Sequence, residues 1–226
     1  MAAKGDRFSG IGMTSARTRQ RMVERLREQG IQDEVVLAAV QAVPRHIFVD
    51  EALASRAYED SPLPIGFGQT ISQPWVVARM CELVRNEHDL GAVLEVGTGC
   101  GYQTAVLAQF CKEVYSVERI GGLLAKARRN LLSLRLTNIR LKHADGAARL
   151  PENLMFEGII VAAGSTLVPV ALTEQLVEGG RLVLPLTMPR SQGGEQRLVV
   201  VEKTAEGMKE TAYEAVRFVP LLAGMA

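Results

Sequence analysis

Between Val93 and Ala108 the chain reads VLEVGTGCGYQTAVLA, with glycines at alternate positions 97, 99 and 101. A β-branched apolar run enters this turn and a helical pattern leaves it. Glycine lets the backbone turn sharply and lets a ligand approach main-chain N–H groups with no Cβ in the way. The spacing is G-x-G-x-G, whereas pyrophosphate-binding turns carry G-x-G-x-x-G. Glu95 also sits inside the strand, two positions before Gly97. Both departures favour a nucleoside ligand without a pyrophosphate. Glu118 closes the next strand, in SVER, about 20 residues after the turn, where such folds place an acid on ribose hydroxyls. The alternative for Glu118 is a surface glutamate at a strand end. Asp145, in HADG, is a candidate acceptor for an adenine amino group, or else simply opens a turn with Gly146. Arg119 borders the same site, but the two acids do not suit a 2′-phosphate.

A second chemical stretch, PLPIGFGQTISQP, spans positions 62–74. A bare linker would not need Ile65, Phe67 and Ile71, and a core strand would not carry these glycines and prolines. It reads as an ordered loop that touches a ligand. Thr70 and Ser72 bring hydroxyls, Gly66 and Gly68 permit close backbone approach, and Pro74 suits the first turn of a helix. Ser72 has two readings from the residues alone: a ligand-orienting hydroxyl, or the cap of that helix. It is no triad nucleophile, because no G-x-S-x-G elbow surrounds it and His46, His88 and His143 lie in no triad motif. Ile65, Val219 and Pro220 are candidate groove walls or ordinary core.

Strands and helices must hold these residues in place. Residues 1–14 read as a flexible N-terminus. Ser15 opens a charged helix ending near Gly30, Asp33 a second helix ended by Pro44, and Asp50 a short third one. From Ala92 onward, AVLEVG, EVYSVER, IRLKHAD, GIIVAA and RLVLPL read as strands, alternating with helical stretches. That alternation indicates an α/β chain with a mainly parallel sheet covered on both faces. QRLVVVEKT and KETAYEAVRF have no helix between them and add an antiparallel element at one edge. Residues 15–226 form one domain: helices and loop over 15–85, and the cofactor-binding α/β core over 86–226.

The chain has 226 residues, 47% of them apolar, and a net charge of +1. A neutral balance argues against a broad nucleic-acid footprint. The basic run SARTRQRMVERLR reads as a solvated helix face. Cys81, Cys100 and Cys111 form no CxxC pair, so no metal site is expected. No signal-like or membrane-length apolar segment is evident, so the expectation is a cytoplasmic monomer with no membrane partner.

VLEVGTGCGYQTAVLA, SVER, DG and above all PLPIGFGQTISQP resemble the protein-L-isoaspartate O-methyltransferases. The resemblance runs from about Arg17 to Pro220 and includes AVPRHIFV, AYEDSPLP, QLVEGGRLVLPL and VRFVPL. Cys100 stands where that family usually has serine, and Leu222 where some members place threonine. The resemblance implies a doubly wound Rossmann-like methyltransferase sheet with an added N-terminal helical segment. It implies S-adenosyl-L-methionine as cofactor, S-adenosyl-L-homocysteine as product, and isoaspartyl peptides and proteins as substrate. The ester formed on the α-carboxylate starts repair through a succinimide. Carried onto this chain, the cofactor residues are Thr70, Ile71, Ser72, Gly97, Gly99, Gly101, Glu118, Arg119, Asp145 and Gly146. The substrate residues are Ile65, Gly66, Val219 and Pro220, with Ser72 the catalytic residue. The rival readings are a methyltransferase for another substrate, a nicotinamide oxidoreductase, and a non-catalytic module that keeps the nucleoside site.

Overall fold

The structure is a computed structural model that describes residues 10–148, 150, 154–189, 191 and 193–226. Residues 1–9 of the expected flexible segment lie outside it, while Gly12–Thr14 form a 3₁₀ turn. Helix α1 (Ala16–Glu28) starts where the Ser15 side chain accepts from the Thr18 N–H. Helix α2 (Glu34–Ala42) starts at Asp33, whose Oδ1 accepts from Val35 N and Val36 N. Asp33 has a second role, because its Oδ2 binds Arg85 Nη1 at 2.5 Å and ties α2 to helix α3 (Pro74–Arg85). The stretch after Asp50 is 3₁₀ over Glu51–Arg56, where an ordinary helix was expected.

Strands β1 (Leu63–Gly66) and β2 (Gln69–Ile71) pair antiparallel as a small separate hairpin. The main sheet has seven strands: β3 (Leu90–Val96), β4 (Cys111–Glu118), β5 (Ile139–His143), β6 (Phe156–Val161), β7 (Leu176–Thr187), β8 (Gln196–Thr204) and β9 (Gly207–Ala215). Their spatial order is β5-β4-β3-β6-β7-β8-β9. The first five in sequence pair parallel, and β8 and β9 continue antiparallel at one edge. This is the doubly wound α/β arrangement with the expected antiparallel edge.

The parallel strands need apolar residues on both faces, because helices cover both. In β3, Val93, Leu94 and Val96 are all buried, and each contributes about 1.5–3 kcal/mol relative to exposure. One apolar cluster joins α1–α3 to one face of the sheet, and a second fills the opposite face around Leu94, Phe156 and Leu182. Helices α4 (Tyr102–Leu107) and α5 (Gly121–Leu134) follow β3 and β4. The expected helix at VALTEQL is a single turn, α6 (Val170–Thr173), because β7 begins at Leu176. The chain leaves β3 toward β4 on one side, while β6 lies on the other. That reversal opens a crevice at the carboxyl ends of the strands, where open α/β sheets bind ligands.

Candidate functional site

The glycine turn lies in this crevice. Gly97, Gly99 and Gly101 have φ of 96°, 56° and 91°, in the left-handed region that side-chain-bearing residues avoid. At Gly101 a Cβ would also sit 3.1 Å from the Leu131 side chain. Gly97 N and Thr98 N both donate to Val117 O, at 2.8 and 3.1 Å, which hooks the turn onto the end of β4. Beneath the turn, Glu95 is wholly buried. It accepts hydrogen bonds from Thr104 Oγ1 on α4 and, at 2.5 Å, from Ser116 Oγ on β4. Burial raises its carboxyl to about 7, against the opposing pull of the two hydroxyls. Glu95 is therefore a strut joining β3, β4 and α4 and does not reach the ligand space.

Glu118 stands on the wall of that space. Its Oε2 accepts from Gly99 N at 2.8 Å and its Oε1 from Ile120 N at 2.9 Å. Each oxygen keeps a second lone pair, so the carboxylate is held still and can accept further donors. The cavity encloses about 910 Å³, part of it open to solvent. Of the sequence-expected residues, Ile65, Thr70, Ile71, Ser72, Gly97, Gly99, Glu118, Arg119, Gly146, Val219 and Pro220 line it. Gly101 shapes the turn without lining the cavity, and Gly66 belongs to the hairpin bend. Asp145 does not line it either. Its Oδ1 accepts from Ala147 N at 2.9 Å, the turn role, and its Oδ2 from Gly224 N at 2.7 Å.

That second bond belongs to a strap, residues 219–226, that crosses the mouth. Gly164 N donates to Val219 O and Leu221 N to Gly164 O, both at 2.7 Å. Arg119 Nε donates to Gly224 O at 2.9 Å, and Gly121 N to Ala226 O at 2.8 Å. The strap thus ties together the loops after β4, β5 and β6, and it puts Leu222 into the cavity wall.

The opposite wall is the β1–β2 hairpin. Gly66, Phe67 and Gly68 have φ of 95°, 54° and 69° in succession. An aromatic residue in this region is an outlier. Its ring lies so close to Gly122 that a Cβ there would be 2.3 Å from Phe67 Cζ. Ser72 follows the hairpin. The cap position of α3 is Gln73, which makes no side-chain cap bond, and the Trp75 N–H is met by Asp60 Oδ1 at 3.0 Å. The capping alternative for Ser72 therefore fails. A second, open groove, lined by Trp75, Arg217 and Phe218 among others, shares Thr70, Ser72, Ala162 and Val219 with the first cavity. Ser72 stands where the two meet.

Three supporting residues escaped the sequence reading: Asp60, Tyr102 and Arg45. Arg45 Nη2 donates to Ser72 O at 2.7 Å. Its only sequence signal was a lone cation inside the apolar run AVPRHIFV.

A family model described as protein-L-isoaspartate(D-aspartate) O-methyltransferase matches residues 17–226. A protein-L-isoaspartate O-methyltransferase of Methylobacillus flagellatus is 63% identical over 221 residues, covering 96% of this chain and 97% of the relative. One from Dechloromonas aromatica is 62% identical over 216 residues, covering 95% and 98%. A solved protein-L-isoaspartate O-methyltransferase superposes with a TM-score of 0.80 at 27% identity, covering 92% of this chain and 67% of that one. A Plasmodium falciparum structure, described as a β-aspartate methyltransferase in complex with S-adenosyl-L-homocysteine, gives 0.75 at 25% identity, covering 90% and 98%.

Proposed function

The chain belongs to the protein-L-isoaspartate(D-aspartate) O-methyltransferase family, and we propose that Ser72, at the junction of its two cavities, orients the substrate carboxylate. The enzyme uses S-adenosylmethionine to methylate isoaspartyl residues in damaged proteins. The cofactor supplies an electrophilic methyl group: a carboxylate O–CH₃ bond forms as the S–CH₃ bond breaks, leaving S-adenosylhomocysteine.

The residues present fit that cofactor. The glycine turn brings backbone close to the ligand, Glu118 has lone pairs to spare for a diol, and Ile120 and Leu123 offer apolar surface. Arg119 is already engaged by Gly224 O, so it is not poised for a phosphate. In our reading Glu118 holds the ribose hydroxyls, while Thr70, Ile71 and Gly146 close around the nucleoside. Gly224 occupies one oxygen of Asp145, so Asp145 acts by holding the strap.

The substrate α-carboxylate is ionised at neutral pH, so no general base is needed. What remains is alignment and exclusion of water. The Ser72 hydroxyl, which makes no hydrogen bond among the described residues, donates to one carboxylate oxygen. Ile65, Gly66, Val219 and Pro220 flank the isoaspartyl residue, and the open groove accepts the peptide on either side. The methyl ester is then a better electrophile, and the next backbone nitrogen closes a succinimide with loss of methanol. The same reading makes the enzyme a cytoplasmic monomer with neither nucleic acid nor membrane as partner; the net charge of +1 supports the first of these exclusions.

The observation that carries the reading is the sharing of Ser72 by both cavities. The test is labelled methyl transfer to an isoaspartyl peptide and to its aspartyl twin. Methylation of the first alone is expected, because a normal aspartyl carboxylate is displaced by a methylene and flanked by intact backbone. Equal methylation of both would overturn this account of the geometry.

A further inference from the structure

Arg45 is wholly buried, yet it forms no ion pair among the described residues. Its Nε donates to Ala57 O and its Nη2 to Ser72 O, both at 2.7 Å. Its guanidinium carbon stands 4.7 Å from the centre of the Tyr102 ring, which lines the cofactor cavity. Nη1 is buried and makes no hydrogen bond of good geometry among the described residues, the Tyr102 hydroxyl being the polar group that acts on the guanidinium most strongly. Asp60 is the acid whose charge acts on it. That carboxylate is committed elsewhere, with Oδ1 on Trp75 N and Oδ2 on Gln29 Nε2, and it forms no ion pair with Arg45 among the described residues.

An arginine does not shed its proton to escape burial. Two carbonyls and an aromatic face soften the cost of the buried charge but leave it unneutralised. The two carbonyls need donors, but a neutral donor would serve them without burying a charge. A cation in this position has a use if an anion arrives beside it, and the anion of this reaction is a carboxylate. The bond to Ser72 O also fixes the main chain that carries the Ser72 hydroxyl.

We propose that Arg45 is a positioning residue that holds the Ser72 peptide unit and supplies a permanent positive charge to the carboxylate subsite, with the substrate anion as its counter-charge. This rests on the reading of Ser72 given above. It predicts that the enzyme distinguishes its substrate by charge as well as by shape.

The experiment measures binding of two peptides to the protein saturated with S-adenosylhomocysteine. One carries the isoaspartyl α-carboxylate and the other the neutral α-carboxamide. The wild type should prefer the carboxylate by about 10-fold or more, the order expected for two opposite charges several ångströms apart in a partly buried site. Arg45→Gln should bring the preference to within about twofold while S-adenosylhomocysteine affinity stays unchanged, since the amide keeps donors but loses the charge. Arg45→Lys should keep the preference and lose turnover, because an ammonium cannot reproduce the fork that holds both carbonyls. A wild-type ratio near one, a wild-type ratio retained in Arg45→Gln, or a ratio lost in Arg45→Lys would each overturn the proposal. If Arg45→Gln does not fold, the wild-type ratio and Arg45→Lys decide. Normal turnover in Ser72→Ala would instead refute the Ser72 reading, and it registers separately from the charge preference.

Discussion

Two loops with left-handed glycines face each other across the cavity, and each rests on a buried ionisable side chain. Glu95 lies under the glycine turn, and Arg45 lies behind Ser72 at the end of the β1–β2 hairpin. The acid is surrounded by hydroxyls and its carboxyl is raised to about 7, so it can take up a proton and cease to be a buried charge. The base has two carbonyls and a ring, and burial lowers its value from the ordinary one; it nevertheless stays charged. The glycine turn is thus braced by a group that can become neutral. The Ser72 backbone is braced by one that cannot, and under the reading proposed above that difference matches a peptide whose recognised group is an anion.

The largest effect that would test the contrast is in stability. Because Glu95 binds its proton more tightly in the folded state, its contribution is complete below about pH 4.5 and is lost as pH rises through about 7. Denaturant titrations of wild type and Glu95→Gln should therefore diverge by roughly 3 kcal/mol between those limits, with the variant the flatter of the two. Parallel curves would remove Glu95 as a protonated strut. On the cofactor wall, Glu118→Ala should weaken S-adenosylmethionine binding by about 1.5–3 kcal/mol in a folded protein. Unchanged affinity by calorimetry would end the ribose assignment. On the substrate wall, Ser72→Ala should lower turnover by about 10–100-fold and leave cofactor affinity alone, because misorienting the attacking oxygen costs rate more than binding. A fall in cofactor affinity of similar size would erase the distinction between the walls. The smallest effect is expected at Gly68, where a methyl group meets open space but a left-handed backbone: Gly68→Ala should cost about 1 kcal/mol in thermal stability.

The features legible in the sequence share a local cause. The glycine turn, Glu118 at its strand end, and Pro74 at the start of α3 each follow from a few neighbouring residues and the strand–helix alternation. Glu95 was visible as an oddity of spacing, but its bracing role depends on Ser116, a residue of the adjacent strand. The position of Asp145 was legible, whereas its bond to Gly224 joins residues 79 apart. Ser72 is ambiguous in sequence because hydroxyls suit both caps and ligands, and the capping alternative is removed only by Asp60, which meets the Trp75 N–H from 15 residues away. Arg45 could not be placed, because a cation in an apolar run becomes informative only when the fold brings it against Ser72, 27 residues away. Helix lengths were overestimated at VALTEQL, where pairing of β7 from Leu176 takes over from helical propensity.

The strap has a consequence for how the enzyme is made. Residues contributing to one cavity range from Ile65 to Leu222. Synthesis proceeds from the N-terminus, so β3, β4 and the glycine turn can leave the ribosome and begin to pack while the mouth is still unbuilt. A nascent chain interrupted before Val219 lacks the peptide that joins the loops after β4, β5 and β6. The wall that Val219, Pro220, Leu221 and Leu222 supply is therefore added after every other element of the cavity has been made.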